Sequence, residues 1–167
     1  MTSLDGSKLE PPRYEAREAF RIAGLGRLLT FPQVGEIPQL WEQFATEYEA
    51  VAGPLMQDAY GVSYVSPEAD ADFGYMAAIE IDAPDGLAAG FALMDIPAAR
   101  YAVFPHRGHV SRVGDTIMTI DREWLPATGN RQPRLEAGSP LFIERYTKEF
   151  DPASGLGGME VWVPIDG

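Results

Sequence analysis

The sequence predicts an α+β fold in which two pseudo-symmetric βαββ repeats form a curved antiparallel sheet, with the helices on one side and a groove between the halves. Strand, helix, strand and strand patterns follow one another twice along the chain. The two series overlay at a near-constant spacing, which sets Tyr101–Val103 against Phe20–Ile22 and Met159–Val163 against Met76–Glu80. A βαββ unit covers one sheet face with its own helix, so two units side by side can curl the other face into a shared groove.

The chain has the size of one domain or of two small, closely packed halves. Its 167 residues suffice to bury a substantial core. The first dozen residues end in Pro11-Pro12 and lack an apolar pattern, so we expect residues 1–12 to be a flexible lead-in. We expect residues 13–167 to form the domain, with halves at about 13–85 and 86–167.

The first half begins with a strand and an amphipathic helix. Ala19 to Leu29 is mostly small and apolar and indicates a strand, in which Gly24 and Gly26 mark a bulge or a close backbone approach. The helix begins at Glu36-Ile37-Pro38, since proline is tolerated in a first turn, and Gly53-Pro54 ends it. Its apolar residues recur at helical spacing: Leu40, Trp41, Phe44, Tyr48 and Val51.

The remaining elements complete the two repeats. Aromatic and β-branched residues predict strands over Tyr60–Val65 and Tyr75–Ile81, and turn-forming residues at 82–86 close the first half. The elements predicted for the second half are a strand over Leu93–Phe104 divided by Pro97, a loop over Pro105–Gly108, a helix over Val110–Trp124, a Pro/Gly-rich connection over Pro126–Gly138, and a closing strand pair over Leu141–Phe150 and Met159–Ile165.

The composition excludes several classes of protein. Cysteine is absent, and His106 and His109 lack a third ligand, so we expect no metal and no cofactor. With 25 acidic and 13 basic residues the net charge is −12, which disfavours direct nucleic-acid binding. This charge either serves solubility alone or also favours cationic ligands. No apolar run is long enough to cross a membrane, and we expect a cytoplasmic protein.

Several runs of the sequence carry a resemblance to a known family through their order and spacing. They are Ile37-Pro38-Gln39-Leu40-Trp41-Glu42-Gln43-Phe44, Tyr60-Gly61-Val62, Ile96 to Gly108, Glu123-Trp124-Leu125-Pro126, Phe142-Ile143-Glu144-Arg145-Tyr146 and Met159 to Ile165. From Arg13 onward the chain resembles the GyrI-like small-molecule-binding domains, which are also the effector-binding domains of AraC- and MerR-type multidrug regulators. It departs from many members at His109-Val110, where they have Pro-Tyr. Such regulators add a DNA-binding module, whereas here we expect the free-standing form.

Glu144 is the main candidate for a functional residue. Strand alternation directs Phe142, Glu144 and Tyr146 to one face of their strand. A carboxylate flanked by two aromatic rings is costly to desolvate, so its ionised form seeks a cation or hydrogen bonds. In the family that the chain resembles, a glutamate of this strand lies in the ligand pocket, and Glu144 matches it. The alternative is a carboxylate at a sheet edge that pairs with Arg100 or Arg145.

Aromatic and flexible apolar side chains are the other candidates for the site. Each is typical of a core when taken singly, but strand alternation favours Tyr75 and Trp162 for the face away from the helices. Trp41 lies early in its helix, and Met118 offers an adaptable apolar surface. The set predicted to bind ligand is Glu144, Trp41, Tyr60, Tyr75, Phe104, Met118, Phe142 and Trp162.

These residues favour reversible binding of small amphipathic molecules, cationic or electrophilic, in an acidic aromatic pocket. The resemblance also implies an alternative, because some GyrI-like proteins resemble hydrolases of strained, cyclopropane-type electrophiles. In that case Glu144 activates a water molecule and Tyr75 or Tyr146 positions the electrophile. A second alternative is a protein that modulates DNA gyrase, the role from which the family takes its name. The sequence also leaves a homodimer open.

Overall fold

The computed structural model describes residues 9–53, 57–82 and 89–166. Eight strands form one sheet: β1 (Arg13–Arg17), β2 (Phe20–Leu29), β3 (Ala59–Tyr64), β4 (Phe73–Ile81), β5 (Ala92–Ile96), β6 (Ala99–His106), β7 (Pro140–Tyr146) and β8 (Met159–Ile165). The helices are α1 (Ile37–Ala52), α2 (Val113–Thr119) and α3 (Leu125–Thr128), with a π-helical turn (Ile120–Trp124) joining the last two and short 3₁₀ segments (Phe31–Glu36 and Val110–Arg112) before α1 and α2.

The strand order confirms the predicted α+β fold with two related halves. Across the sheet the order is β1-β6-β8-β7-β3-β4-β2-β5, and all the pairs are antiparallel. The first half contributes β3, β4 and β2, and the second contributes β7, β8 and β6 in the mirrored order. The central pair, β7 and β3, therefore joins one strand from each half.

The two edge strands are exchanged between the halves. β1 precedes β2 in the chain but pairs with β6, whereas β5 precedes β6 but pairs with β2. Residues 18–19 and residues 97–98 are the whole length of the two connections. Such short connections require the opposite edges of the sheet to approach each other, and this approach curves the sheet.

α1 and the α2–α3 segment cover the same face of the sheet. α1 packs on β2 and β4 through a cluster that contains Phe44 and Tyr75, and the α2–α3 segment packs on β6, β7 and β8 through a cluster that contains Phe104 and Ile120. On the other face the curved sheet encloses a third buried cluster: Ile22, Tyr60, Val62, Met76, Ala78, Ile96, Tyr101, Val103, Ile143 and Trp162. The groove expected from the sequence would lie on this face, but apolar side chains fill its interior.

Several boundaries differ from the sequence-based expectations. The predicted helix over Val110–Trp124 begins as a 3₁₀ turn and continues to Thr128. The predicted strand over Leu141–Phe150 ends at Tyr146, because the chain turns there and the Phe150 amide donates to the Thr147 carbonyl. β1 was not predicted, since it has only five residues, three of them charged, and so carries a weak strand pattern.

Some predicted features lie outside the described residues. These are residues 1–8 of the lead-in, Pro54 after the first helix, and residues 83–86 of the predicted turn. Leu9 is described, and it packs against the cluster under α2 and α3. Among the described helices, none combines the length and the apolar character that crossing a membrane requires.

Replacing Phe44 by alanine tests the packing of α1 on the sheet. Phe44 is 1% exposed and stacks with Tyr48 and Phe91. Loss of such a ring costs about 3–5 kcal/mol of unfolding free energy. Val51 lies on the same helix but is 57% exposed, so Val51→Ala should change stability by less than about 0.5 kcal/mol. Urea unfolding of both variants measures the two values, and equal effects would contradict this packing.

Candidate functional site

Glu144 lies at the centre of the sheet, on the face that carries the helices. β7 places it between Gly61 of β3 and Val161 of β8. The residue is only 7% exposed. The alternative of a carboxylate at the sheet edge is therefore wrong, because β7 has a hydrogen-bonded strand on both sides.

Two phenols donate to the same oxygen of this carboxylate. Tyr75 Oη lies 2.9 Å from Glu144 Oε1, and Tyr146 Oη lies 2.5 Å from it. Trp41 Nε1 donates in turn to Tyr75 Oη over 3.0 Å. Within the described part of the chain no side chain or backbone group donates to the other oxygen, Oε2. The arrangement leaves one carboxylate oxygen available to a further partner.

Gly61 makes the contact between Tyr75 and Glu144 geometrically feasible. Tyr75 belongs to β4, and its side chain must cross β3 to reach β7. A Cβ atom on Gly61 would lie 2.1 Å from Tyr75 Oη and 2.9 Å from Glu144 Oε1. The sequence analysis did not select Gly61 as a site residue. The signal was a glycine inside a strand pattern, which indicates close approach of another group.

No cationic side chain among the described residues contacts the Glu144 carboxylate. Arg145 points to the opposite face, where it binds Asp58 over 2.6 Å and Glu160 over 3.3 Å. Arg100 lies over the ring of Tyr14, with its Cζ atom 4.8 Å from the ring centroid. The pairing of Glu144 with Arg100 or Arg145, which the sequence left open, is therefore wrong.

Burial controls the protonation of this cluster. Loss of solvent raises the pKa of Glu144 above its ordinary value, and the hydrogen bonds from Tyr146 and Tyr75 oppose that rise. The pKa values of Tyr75 and Tyr146 are raised well above 10, first by burial and then by the neighbouring Glu144 charge. The phenols are therefore neutral donors at physiological pH and cannot act as counter-ions.

Aromatic rings cover the cluster in this structure. The Trp41 ring meets the Tyr146 ring edge-on at 5.3 Å, and Phe150 contacts the other side of Tyr146 at 5.1 Å. A surface cavity of about 680 Å³ lies elsewhere, at the ends of β6 and β8, and its arginines Arg13 and Arg107 are already paired with glutamates. The aromatic contacts bury the carboxylate of Glu144 in this structure.

The structure brings together some of the predicted ligand-binding residues and separates others. Glu144, Trp41, Tyr75 and Tyr146 form one cluster, with Phe142 on the same face. The remaining four predicted residues lie away from Glu144. Tyr60 and Trp162 belong to the core of the opposite face, Phe104 packs against the ring of Trp124, and Met118 is 46% exposed on α2. Tyr75 also lies on the helix face rather than on the face expected for it.

The two histidines organise the start of α2. His106 is buried, with Nδ1 2.8 Å from the Thr116 hydroxyl and Nε2 2.9 Å from the His109 carbonyl. His109 accepts the Ser111 amide hydrogen and caps the 3₁₀ turn. These contacts fix the segment that carries Val110, which packs beside Tyr146.

Comparison with known proteins agrees with this architecture. The family model for the GyrI-like small molecule binding domain matches residues 10–166, and the chain belongs to that family. Its sequence is 26% identical, over 154 residues, to the transcriptional regulator BrlR of Pseudomonas aeruginosa. The match covers 92% of this chain and 54% of BrlR, so the chain spans about half the length of that curated relative.

Solved structures share the fold at low sequence identity. SAV2435 bound to tetraphenylphosphonium has a TM-score of 0.69 at 19% identity, over 95% of both chains. A bacterial transcription regulation protein from Staphylococcus aureus has a TM-score of 0.67 at 18% identity, over 93% of this chain and 98% of that one. The EcmrR C-terminal domain has a TM-score of 0.62 at 10% identity, over 95% of this chain and 98% of that one. The protein is thus a small-molecule-binding domain related to domains of transcriptional regulators.

Replacing Gly61 by alanine tests the crowding around Tyr75. The added methyl group would overlap the Tyr75 hydroxyl, so we expect its hydrogen bond to Glu144 to break and stability to fall by about 1–3 kcal/mol. In a Tyr75→Phe background the same change should cost less, because the hydroxyl is gone. Gly114→Ala in α2, where a methyl group meets nothing within 4 Å, is the matched control and should be neutral or stabilising.

The pH dependence of stability tests the raised pKa of Glu144. A carboxyl group whose pKa is raised by folding stabilises the protein fully below its unfolded pKa, and this contribution is lost as pH rises through the folded pKa. The unfolding free energy of the unchanged protein, relative to Glu144→Gln, should therefore fall as pH increases from about 4. Urea titrations of both proteins across pH give this difference, and a difference that rises with pH would show that the pKa is lowered instead.

Proposed function

We propose that the domain reversibly binds hydrophobic cations, with Glu144 as the counter-charge. The observation that carries this proposal is a buried carboxylate without a cationic partner among the described residues. Most buried charges in proteins are paired or neutralised, because an isolated charge is costly to desolvate. A cation placed at Oε2 would supply the missing charge.

The surroundings of Glu144 suit a cation that carries apolar groups. Trp41, Tyr146 and Phe150 present aromatic rings above it, and a cation over such a ring gains about 0.5–2 kcal/mol. The negative net charge of the whole chain adds a weaker effect, since it raises the concentration of cations near the surface. The aromatic surroundings and the charge therefore favour amphipathic cations over small hydrated ions.

The relatives are consistent with this ligand class. SAV2435, which shares the fold, has been solved with tetraphenylphosphonium, a cation surrounded by four phenyl rings. Its 19% identity supports likeness of fold, and the assignment of cationic ligands to this chain rests on Glu144 and its surroundings. BrlR is a transcriptional regulator and EcmrR has been solved in a complex with DNA, so we propose that ligand binding by this domain serves sensing.

Binding at Glu144 requires the aromatic cover to open. The Tyr146 ring would have to move away from the ring of Phe150 or from that of Trp41. Its hydrogen bond to the carboxylate is either kept or lost in this movement. Moving the aromatic rings costs part of the interaction energy and so weakens binding. We therefore expect micromolar rather than nanomolar dissociation constants, which correspond to a binding free energy of about −8 kcal/mol.

Tetraphenylphosphonium titrated by calorimetry tests the proposal. We expect micromolar binding to the unchanged protein and a loss of about tenfold or more for Glu144→Gln, which keeps the shape and removes the charge. The control is Glu49→Gln, an exposed carboxylate of α1 whose removal changes the net charge equally. Its affinity should change by less than about twofold. Equal losses for the two variants would mean that the overall charge attracts the cation and that Glu144 has no special part.

A hydrolase that acts on strained electrophiles is a second candidate. The specific observation in its favour is that Glu144 combines a raised pKa with a free oxygen and two nearby phenol donors, as a general base for water requires. A cyclopropane-containing alkylating compound incubated with the protein should then yield a ring-opened hydrolysis product, and Glu144→Gln should abolish turnover. Stoichiometric binding without product would reject this candidate and leave the binding function in place.

An effect on DNA gyrase is a third possibility that comes from the family resemblance alone. The acidic residues are spread along the chain rather than concentrated in one segment, so the charge pattern gives this role little support. A supercoiling assay with purified gyrase decides it, and unchanged supercoiling at a large excess of the protein would exclude it.

A further inference from the structure

Trp41 differs from the other aromatic residues around Glu144 because it contacts both phenols but makes no hydrogen bond to the carboxylate. Its Nε1 atom donates to Tyr75 Oη over 3.0 Å, and its ring lies edge-on to Tyr146 with centroids 5.3 Å apart. The two donors that reach the carboxylate directly are Tyr75 and Tyr146. Any effect of the indole N–H on Glu144 therefore passes through Tyr75.

The direction of the hydrogen bonds follows from the chemistry of the indole group. An indole N–H can only donate, so Tyr75 Oη accepts from Trp41 and its own hydrogen is directed to Glu144 Oε1. A phenol that accepts a hydrogen bond is a stronger donor, because successive hydrogen bonds polarise one another. A stronger donor favours the ionised form of the carboxylate that it contacts.

We infer that Trp41 is a positioning residue that acts through the Tyr75 hydroxyl to keep Glu144 ionised, and thereby sets the pH range in which the site takes up a cation. This inference rests on the proposed function, since it concerns the charge that the cation meets. The directions of the pKa shifts agree with it. The Trp41 hydrogen bond opposes the rise in the pKa of Tyr75, and the Tyr75 hydrogen bond opposes the rise in the pKa of Glu144.

No other described charge competes with this pathway at the carboxylate. The neighbouring strands present Gly61 and Val161 beside Glu144, and the turn before α2 presents a valine next to Tyr146. From β4 and α1 the groups that face the site are the Tyr75 phenol and the neutral Trp41 indole. The charged neighbour in sequence, Arg145, is engaged on the opposite face.

A double-mutant cycle measured across pH tests the pathway. Trp41→Phe removes the N–H and keeps an aromatic ring, whereas Tyr75→Phe removes the hydroxyl that would transmit the effect. The carboxyl ¹³C shift of Glu144, followed by NMR without ligand, reports its pKa in each variant. We expect Tyr75→Phe to raise this pKa by about one unit, a tenfold change in proton binding, and Trp41→Phe to raise it by less. The double variant should equal Tyr75→Phe.

Tyr146→Phe provides the matched control, because Tyr146 donates to the same oxygen without a bond from the indole N–H. In that background Trp41→Phe should keep its full effect on the pKa of Glu144. Tetraphenylphosphonium is also titrated into the full chain at a series of pH values. The pH at which cation affinity is half its maximum should rise in each variant by the same amount as the pKa of Glu144. Additive shifts for Trp41→Phe and Tyr75→Phe, or a Trp41→Phe variant with an unchanged pKa, would overturn the inference. Intact pKa coupling without any cation binding would instead count against the proposed function.

Discussion

The candidate site depends on a single unusual constraint: the carboxyl group of Glu144 is held out of water, and no cation from residues 9–53, 57–82 or 89–166 lies beside it. Two neutral phenols donate to one oxygen of Glu144, and this hydrogen bonding offsets part of the cost of burial. The offset needs space on the adjacent strand, which Gly61 supplies by having no side chain. It also needs a rigid support, and β7 is hydrogen-bonded along both of its edges. Burial of Glu144 therefore depends together on the two phenol donors, on the glycine at position 61 and on the position of β7 inside the sheet.

The exchanged edge strands explain why the site lies on the helix face. Because β1 and β5 cross between the halves through two-residue connections, the sheet curves until its helix-free face closes on an apolar core. α1 covers β2 and β4 of the first half, the α2–α3 segment covers β6, β7 and β8 of the second half, and the central strands β3 and β7 come one from each half. Glu144 lies at this central pair, where the ring of Trp41 from α1 packs against Tyr146 of β7.

Local patterns in the sequence were sufficient for the elements, and they were insufficient for their long-range pairing. The stripe that includes Phe44 predicted α1, and Pro97 correctly divided β5 from β6. The short, largely charged strand β1 gives only a weak strand pattern, and its exchange with β5 depends on contacts distant in sequence. Without that exchange the helix-free face appeared open, which is why Tyr60 and Trp162 were grouped with Glu144. Alternation within a strand identified the face of Glu144 but could not say which helices share it.

Neutral donors around the carboxylate suit a reversible binding site better than a resident arginine would. An arginine paired with Glu144 would have to be displaced by each incoming cation, and it would then be left as a buried charge without a partner, at a cost of several kcal/mol. Tyr75 and Tyr146 hydrogen-bond the carboxyl group and oppose the rise in its pKa, and they leave it without a charged partner among the described residues. In the proposed function, a cation can then add to the free oxygen without displacing a charged side chain. In the proposed function the aromatic rings of Trp41, Tyr146 and Phe150 must move for binding, and Trp41 is connected to the carboxylate through Tyr75.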